Sequence, residues 1–254
     1  MFIDTHCHLS IEDYNDISKI ILENRENSID KIIISGCTKD SIKESITYSK
    51  KYNDVYLTLG YHPSEASTVT LNDLKYLEEN IKSFKVVGIG EIGLDYHYGN
   101  ENKEEQIKLF EEQLSLALKY NLPVVIHSRD ATLDTINVLK KYPKVYGVIH
   151  CFSGSYETAL EYIKMGYYLG IGGVITFKNS KLIDVVKKIG LDNIVLETDA
   201  PYLTPEPFRG KINSSKYIPI IASYIASNLN ISIEEVSKKL LNNTNCLFDF
   251  DRNL

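Results

Sequence analysis

The sequence predicts an α/β protein, a (β/α)8 TIM barrel, on three observations. The 254 residues are 43% hydrophobic and 24% charged, a profile of a globular chain long enough to build one barrel-sized core. Short, nearly continuous apolar and β-branched runs recur eight times and alternate with stretches of helical periodicity. That is the rhythm of parallel strands covered on both faces and joined by helical crossovers. Histidines and carboxylates end five of those runs. A closed barrel gathers such ends over one mouth, whereas a doubly wound open sheet, the competing solution, spreads them along an edge. No linker, low-complexity tract or composition break divides the chain, so a single domain over 1–254 is expected.

The predicted strands, in order, are Phe2–Thr5, Lys31–Ser35, Val55–Leu59, Val86–Gly90, Pro123–Ile126, Tyr146–Ile149, Tyr167–Ile171 and Asn193–Glu197. Ser10 and Asp13, ahead of the periodic Ile17, Ile20 and Ile21, read as a helix start whose hydroxyl accepts an orphan N–H. Ile107, Phe110, Leu114, Ala117 and Leu118 recur at three- and four-residue steps, so one stripe faces a sheet until Asn121 and Pro123 stop the helix. Similar stripes run through Leu74–Ile81, Leu133–Leu139, Ile183–Ile189, Ile218–Ile225 and Ile233–Leu241, and the Pro-rich stretch Pro201–Pro207 is a loop after the eighth strand.

The charge sum excludes some classes of function. With 28 Lys+Arg against 34 Asp+Glu the net charge is −6, so the surface as a whole cannot wrap a long polyanion. Nucleic-acid binding must be local, for which Lys178, Lys181, Arg209, Lys211 and Lys216 after the seventh and eighth strands are available. No apolar run approaches the roughly 20 residues that span a bilayer, and MFIDTHCHL opens without a basic flank and apolar stretch. A cytoplasmic protein without a membrane partner is expected. Cys7, Cys37, Cys151 and Cys246 form no CxxC pair and suit reduced thiols.

Chemistry concentrates at the strand ends. His6 and His8 close the first strand as His-x-His and project to one side while Cys7 points into packing. Glu91 follows Gly-Ile-Gly, His127 ends Val-Val-Ile-His, His150 ends Gly-Val-Ile-His, and Asp199 ends Leu-Glu-Thr-Asp. Four imidazoles and two carboxylates in one dry mouth would leave open acceptors and unpaired charge unless cations receive them. A nitrogen-rich set with carboxylate oxygens favours Zn, Mn, Co or Ni, with Mg admissible through availability.

The phrases Phe-Ile-Asp-Thr-His-Cys-His-Leu (2–9), Gly-Tyr-His-Pro (60–63), Gly-Glu-Ile-Gly-Leu-Asp-Tyr (90–96), Gln106 with Phe110 and Gln113, Pro-Val-Val-Ile-His-Ser-Arg-Asp-Ala (123–131), His-Cys-Phe-Ser-Gly (150–154) and Leu-Glu-Thr-Asp-Ala-Pro-Tyr-Leu (196–203) resemble the TatD family of metal-dependent deoxyribonucleases, nearly end to end. The resemblance implies an amidohydrolase-superfamily barrel with two divalent cations. It implies that His6 and His8 hold one, His127 and His150 the other, that Glu91 bridges them, and that Asp199 completes the first while facing the attacking water. The family loop Arg-Gly-Lys-x-Asn is kept as Arg209, Gly210, Lys211 and Asn213, but Ser214 and Ser215 replace its Glu-Pro pair and Phe208 replaces a polar residue. Those departures leave the metal residues untouched and bear on the substrate contacts of the loop.

The expected chemistry is hydrolysis of a phosphodiester, with Asp199 and Glu91 as the catalytic carboxylates and a two-metal activated water as nucleophile. His62 and Arg209 are the expected substrate contacts, Arg209 as a bidentate phosphate clamp. His97 is expected at the surface, and Arg129 and Asp130 to open the helix after His127, in an ion pair or a helix-terminus contact. A monomer acting as a 3′-to-5′ exonuclease on short or single-stranded DNA ends, with RNA or tRNA as alternative polymers, follows from the resemblance. D-aminoacyl-tRNA deacylation, or another ester or amide hydrolysis on the same metals, is the alternative, and a non-catalytic scaffold has no use for six such ligands.

Overall fold

The structure is a computed structural model that describes residues 1–82 and 85–251. Eight strands form one sheet in sequence order: β1 (Phe2–Cys7), β2 (Ile29–Gly36), β3 (Val55–Leu59), β4 (Val86–Asp95), β5 (Val124–Arg129), β6 (Gly147–Ile149), β7 (Tyr168–Ile171) and β8 (Ile194–Leu196). The paired strands run parallel. Between them lie α1 (Ile17–Glu26), α2 (Lys39–Lys51), α3 (Leu71–Asn80), α4 (Lys103–Tyr120), α5 (Thr132–Lys140), α6 (Tyr156–Lys164) and α7 (Leu182–Ile189), with α8 (Ile218–Leu229) and α9 (Ile233–Leu247) after β8. This alternation is the (β/α)8 barrel predicted from the apolar rhythm.

The chain divides into two compact units. The first comprises Met1–Ile34, His150–Lys164 and Tyr168–Leu247, and the second Ser35–Ile149, Met165–Tyr167 and Phe248–Leu254. In the first, β1 lies against the end of β8: the Thr5 hydroxyl donates to Leu196 O at 2.9 Å, Asp199 N to His6 O at 3.0 Å and His8 N to Ala200 O at 2.6 Å. Ile3, Ile33, Leu169, Val195, Ile221 and Val236 are buried there. In the second, β3 to β6 pair in sequence order, and Val55, Ile89, Ile92, Phe110, Leu114 and Ile126 are completely buried.

Three local expectations are corrected. Ser10 and Asp13 do not start a helix: Ser10 holds a turn by accepting from Glu12 N, and α1 begins after Asp16, whose carboxylate accepts from Lys19 N at 3.2 Å. The fourth strand runs on to Asp95, because Ile92 and Leu94 keep it buried, so Glu91 lies inside β4 and not at its end. Arg129 ends β5 and Asp130 adopts a left-handed φ of 53°, both ahead of α5, so neither opens that helix. Asn121, the expected stop of α4, adopts a left-handed φ of 49° as its C-cap.

Candidate metal centre

In the first unit, β1 delivers His6 and His8 on one side. Cys7, between them, is buried on the other, its thiol donating to Ile33 O at 3.6 Å, and burial pushes that thiol up. His6 Nε2 lies 3.2 Å from His8 Nε2, and each lies 3.7 Å from Asp199 Oδ1. The His150 ring packs against His6 with centroids 4.0 Å apart. The ligand atoms of His6, His150 and Asp199 all fall within 4.8 Å of one another. His6 and His150 are buried, while the Asp199 side chain keeps 15% exposure, enough to meet water.

Two buried carboxylates hold this group together. Asp4, between strand residues, accepts from Thr198 N at 2.9 Å and from the Thr198 hydroxyl at 2.6 Å, and its Oδ1 also accepts from His6 N at 3.3 Å. Burial outweighs those hydrogen bonds and pushes the Asp4 carboxyl up to about 7. Glu197, fully buried, accepts from Cys151 N at 2.5 Å and sits 3.2 Å from His150 Nδ1, the outer contact that orients a metal-ligating imidazole. The sequence offers Glu197 only as the last residue of an apolar run, although an acid at that place is itself a signal.

The second unit presents a different group. His127 Nδ1 lies 2.7 Å from Glu91 Oε1 and its Nε2 lies 3.0 Å from Asp95 Oδ2. The His62 ring crosses that of His127 with centroids 4.6 Å apart, and His62 Nε2 lies 3.9 Å from Glu91 Oε1. Ligand atoms of His62, Asp95 and His127 fall within 4.8 Å of one another. Burial pushes the Asp95 carboxyl up, but hydrogen bonds from His127 and the His97 amide, with the nearby imidazoles, bring it below the usual value.

Glycine and glutamine explain how β4 reaches this geometry. A Cβ on Gly90 would strike Val125, and one on Gly93, whose φ is 144°, would overlap the His127 carbonyl, so both positions allow β4 to approach β5 closely. Gln106 accepts from Asp95 N at 2.9 Å and donates to Asp95 O at 2.8 Å, and Gln113 does the same for Tyr61 at 2.7 and 3.0 Å. These glutamines fix the backbone on which Asp95 and His62 stand. Ser64 N donates to His62 Nδ1 at 3.1 Å, so a neutral His62 carries its proton on Nε2.

The donor set fits divalent cations. In the first unit two imidazole nitrogens face each other at 3.2 Å with a carboxylate oxygen at 3.7 Å from each, an arrangement that a shared cation satisfies and that two lone pairs do not. His6, His8, His150 and Asp199 can hold one ion, and Glu91 can share another with His127 through Nδ1, with Asp95 on Nε2 as the outer contact that orients the ring. Of the expected substrate contacts, His62 joins the second group. Arg209 lies on the loop after β8, its guanidinium 4.0 Å from the Phe177 ring centroid and donating to Thr204 O at 3.2 Å. In that loop Phe208 stacks on Tyr217 with centroids 4.9 Å apart, and Ser214 and Ser215 are buried, the Ser214 hydroxyl donating to Asn24 Oδ1 at 3.5 Å and the Ser215 hydroxyl to the Asp4 carboxyl.

The family model described as TatD related DNase matches residues 3–249. The chain is 40% identical over 252 residues to the uncharacterized metal-dependent hydrolase YabD of Bacillus subtilis (strain 168), covering 98% of this chain and 99% of that one. The crystal structure of YjjV, a TatD homolog from Escherichia coli K12, superposes with a TM-score of 0.91 at 32% identity over 98% of each chain. A TatD family hydrolase from Entamoeba histolytica superposes with a TM-score of 0.86 at 26% identity, again over 98% of each. No described helix is long and apolar enough to cross a membrane. Clusters of metal-ligating side chains, a (β/α)8 fold and matches over nearly the whole length lead to one assignment: the chain belongs to the TatD-related DNase family and is a metal-dependent hydrolase.

Proposed function

We propose that the protein is a phosphodiesterase that removes nucleotides from the 3′ end of single-stranded DNA with two divalent cations, one held by His6, His8, His150 and Asp199 and the other by Glu91 and His127. Zn, Mn, Co and Ni suit the imidazole content of both sets. The observation that carries this reading is the clustering of His6, His150 and Asp199 within 4.8 Å, with Asp199 the member open to water.

Divalent cations supply Lewis acidity and lower the pKa of water toward neutrality. The residues of the chain do the rest. Asp199 accepts a proton from the attacking water, its carboxylate held beside β1 by the bond from Asp199 N to His6 O. His62, protonated on Nε2 by virtue of its Ser64 partner, donates to a phosphate oxygen. Arg209 is stiffened by Phe177 on one face and by Thr204 at one nitrogen, which lowers the entropy lost when it clamps a phosphate. The net charge of −6 then limits the enzyme to strand ends bound locally and makes binding salt-sensitive.

The test offers metal-loaded protein and Asp199→Asn side by side to end-labelled single-stranded DNA, RNA and D-aminoacyl-tRNA. Stepwise shortening of DNA by the parent chain, absent in the variant, is the expected result. Turnover of the aminoacyl ester alone would replace this reading with a deacylase, and internal cuts appearing at once would replace exonuclease with endonuclease action.

A further inference from the structure

We propose that the cavity beside His62 and Asp95 is a nucleobase subsite, with the Tyr98 ring as its stacking face and Arg129 as the contact to the adjoining phosphate; this rests on the phosphodiesterase reading above. The cavity, of about 300 Å³, is lined by His62, Asp95, Tyr98, Glu101 and Asn102 among others. That is the small end of ligand sites, room for one nucleoside and not for a duplex. Its walls carry two carboxylates and neither Lys nor Arg. A phosphate is repelled there, while a neutral heterocycle with N–H groups finds acceptors in Glu101 and both donor and acceptor in the Asn102 amide.

Tyr98 is 88% exposed, yet its backbone is fixed. Tyr96 N donates to Arg129 O at 3.0 Å, Gly99 N to Tyr96 O at 3.1 Å and His97 N to Asp95 Oδ1 at 2.9 Å. An exposed aromatic on a hydrogen-bonded turn, among the residues that line a cavity, presents a flat π-face to an incoming base. The Arg129 guanidinium lies 5.7 Å from the Tyr98 centroid, and the neighbouring Asp130 pairs with His97 at 3.1 Å instead of with Arg129, leaving the cation for an incoming anion. Because His62 and Asp95 belong both to the cavity and to the second ligand group, a base seated here keeps its own phosphodiester beside that group.

The experiment is a two-by-two comparison on metal-loaded protein: the parent chain and Tyr98→Ala, each with a short single strand whose 3′-terminal nucleotide is intact or abasic. The expected result is a loss of about tenfold in kcat/KM for Y98A on the intact strand, carried by KM, with Y98F close to the parent. On the abasic strand the parent is already about tenfold slower, and Y98A adds less than about twofold. Arg129→Gln raises KM on both strands and lowers the salt slope by about one. Equal Y98A losses on both strands, with a parent chain that cleaves DNA, overturn the subsite alone. A parent chain that cleaves neither strand overturns the phosphodiesterase reading and the subsite with it.

Discussion

In the first unit, His150 and Asp199 stand just beyond β6 and β8, on backbone whose direction is set by buried hydrogen bonds to Asp4 and Glu197. In the second, Glu91 and His127 stand within β4 and β5, and their spacing is set by strand register and by glycines that permit close approach. Within its own unit each route brings imidazole and carboxylate together, but the two store the information differently. A loop-borne ligand depends on a few polar contacts, each of which costs free energy if left unmade. A strand-borne ligand depends on packing, which fails by steric overlap. Asp199 shows the first route most directly: its φ of 55° is a left-handed conformation sparsely used by residues other than Gly, Asn and Asp, held here by the bond to His6 O.

The largest expected effects set one unit's ligands against the other's. Asp199→Asn keeps the shape of the side chain and removes the proposed proton acceptor, so the proposed phosphodiester turnover falls by about 10²- to 10⁴-fold while thermal unfolding shifts little. His150→Ala and His127→Ala each remove one of the two proposed ions, so metal analysis by elemental emission gives about one equivalent where the parent gives two. A chain that loses all its metal through either substitution would break the assignment of one ion to each unit.

Two substitutions of intermediate effect sharpen the contrast between polar tethering and packing. Asp4→Ala leaves Thr198 N, the Thr198 hydroxyl and His6 N without their acceptor, a loss of about 3 kcal/mol on denaturant unfolding. Gly93→Ala forces a Cβ onto the His127 carbonyl at a positive φ, costing about 2 kcal/mol and pushing β4 from β5. Chelator competition then separates them: D4A weakens the ion of the first unit, G93A that of the second. If G93A binds metal like the parent, register is not what positions Glu91 and His127.

How much of this was legible in the sequence follows the same division. The eight strands and the six ligand candidates could be read because apolar runs are local and motifs are short. His6 and His8 required only period-two alternation. Glu91 lies inside β4 and not at its end because the strand runs on through Gly90 and Gly93, whose role is close contact with Val125 and His127, a fact of tertiary packing. Asp95, Glu197, Gln106 and Gln113 carry no chemistry in isolation. Their parts in holding His127, His150 and the backbone at Asp95 and Tyr61 exist only between segments 11 to 52 residues apart. The helix start expected at Ser10 fails for a simpler reason: Ser10, Asp13, Asn15 and Asp16 all precede α1, and only the geometry at Asp16 decides which one caps it.

The smallest effect tests whether polar tethering matters equally outside the ligand groups, at the start of α3. Thr70 and Asp73 form a capping box: Asp73 N donates to the Thr70 hydroxyl at 3.3 Å, and Thr70 N donates back to Asp73 Oδ2 at 3.0 Å. Lys39 donates to Asp73 Oδ1 at 2.7 Å, and that bond, with those from Thr70, holds the Asp73 carboxyl well below the ordinary aspartate value. A carboxylate lowered in the folded state contributes stability that is complete above the unfolded pKa of roughly 3.9 and is lost as pH falls through the folded value. Asp73→Ala therefore costs about 1 kcal/mol at pH 7, discounted for exposure of the Lys39 pair, and the gap to the parent closes on acidification below about pH 4. Metal content and turnover should be untouched. A gap that stays constant from pH 7 to pH 3 would mean that Asp73 acts through side-chain packing instead of through its charge.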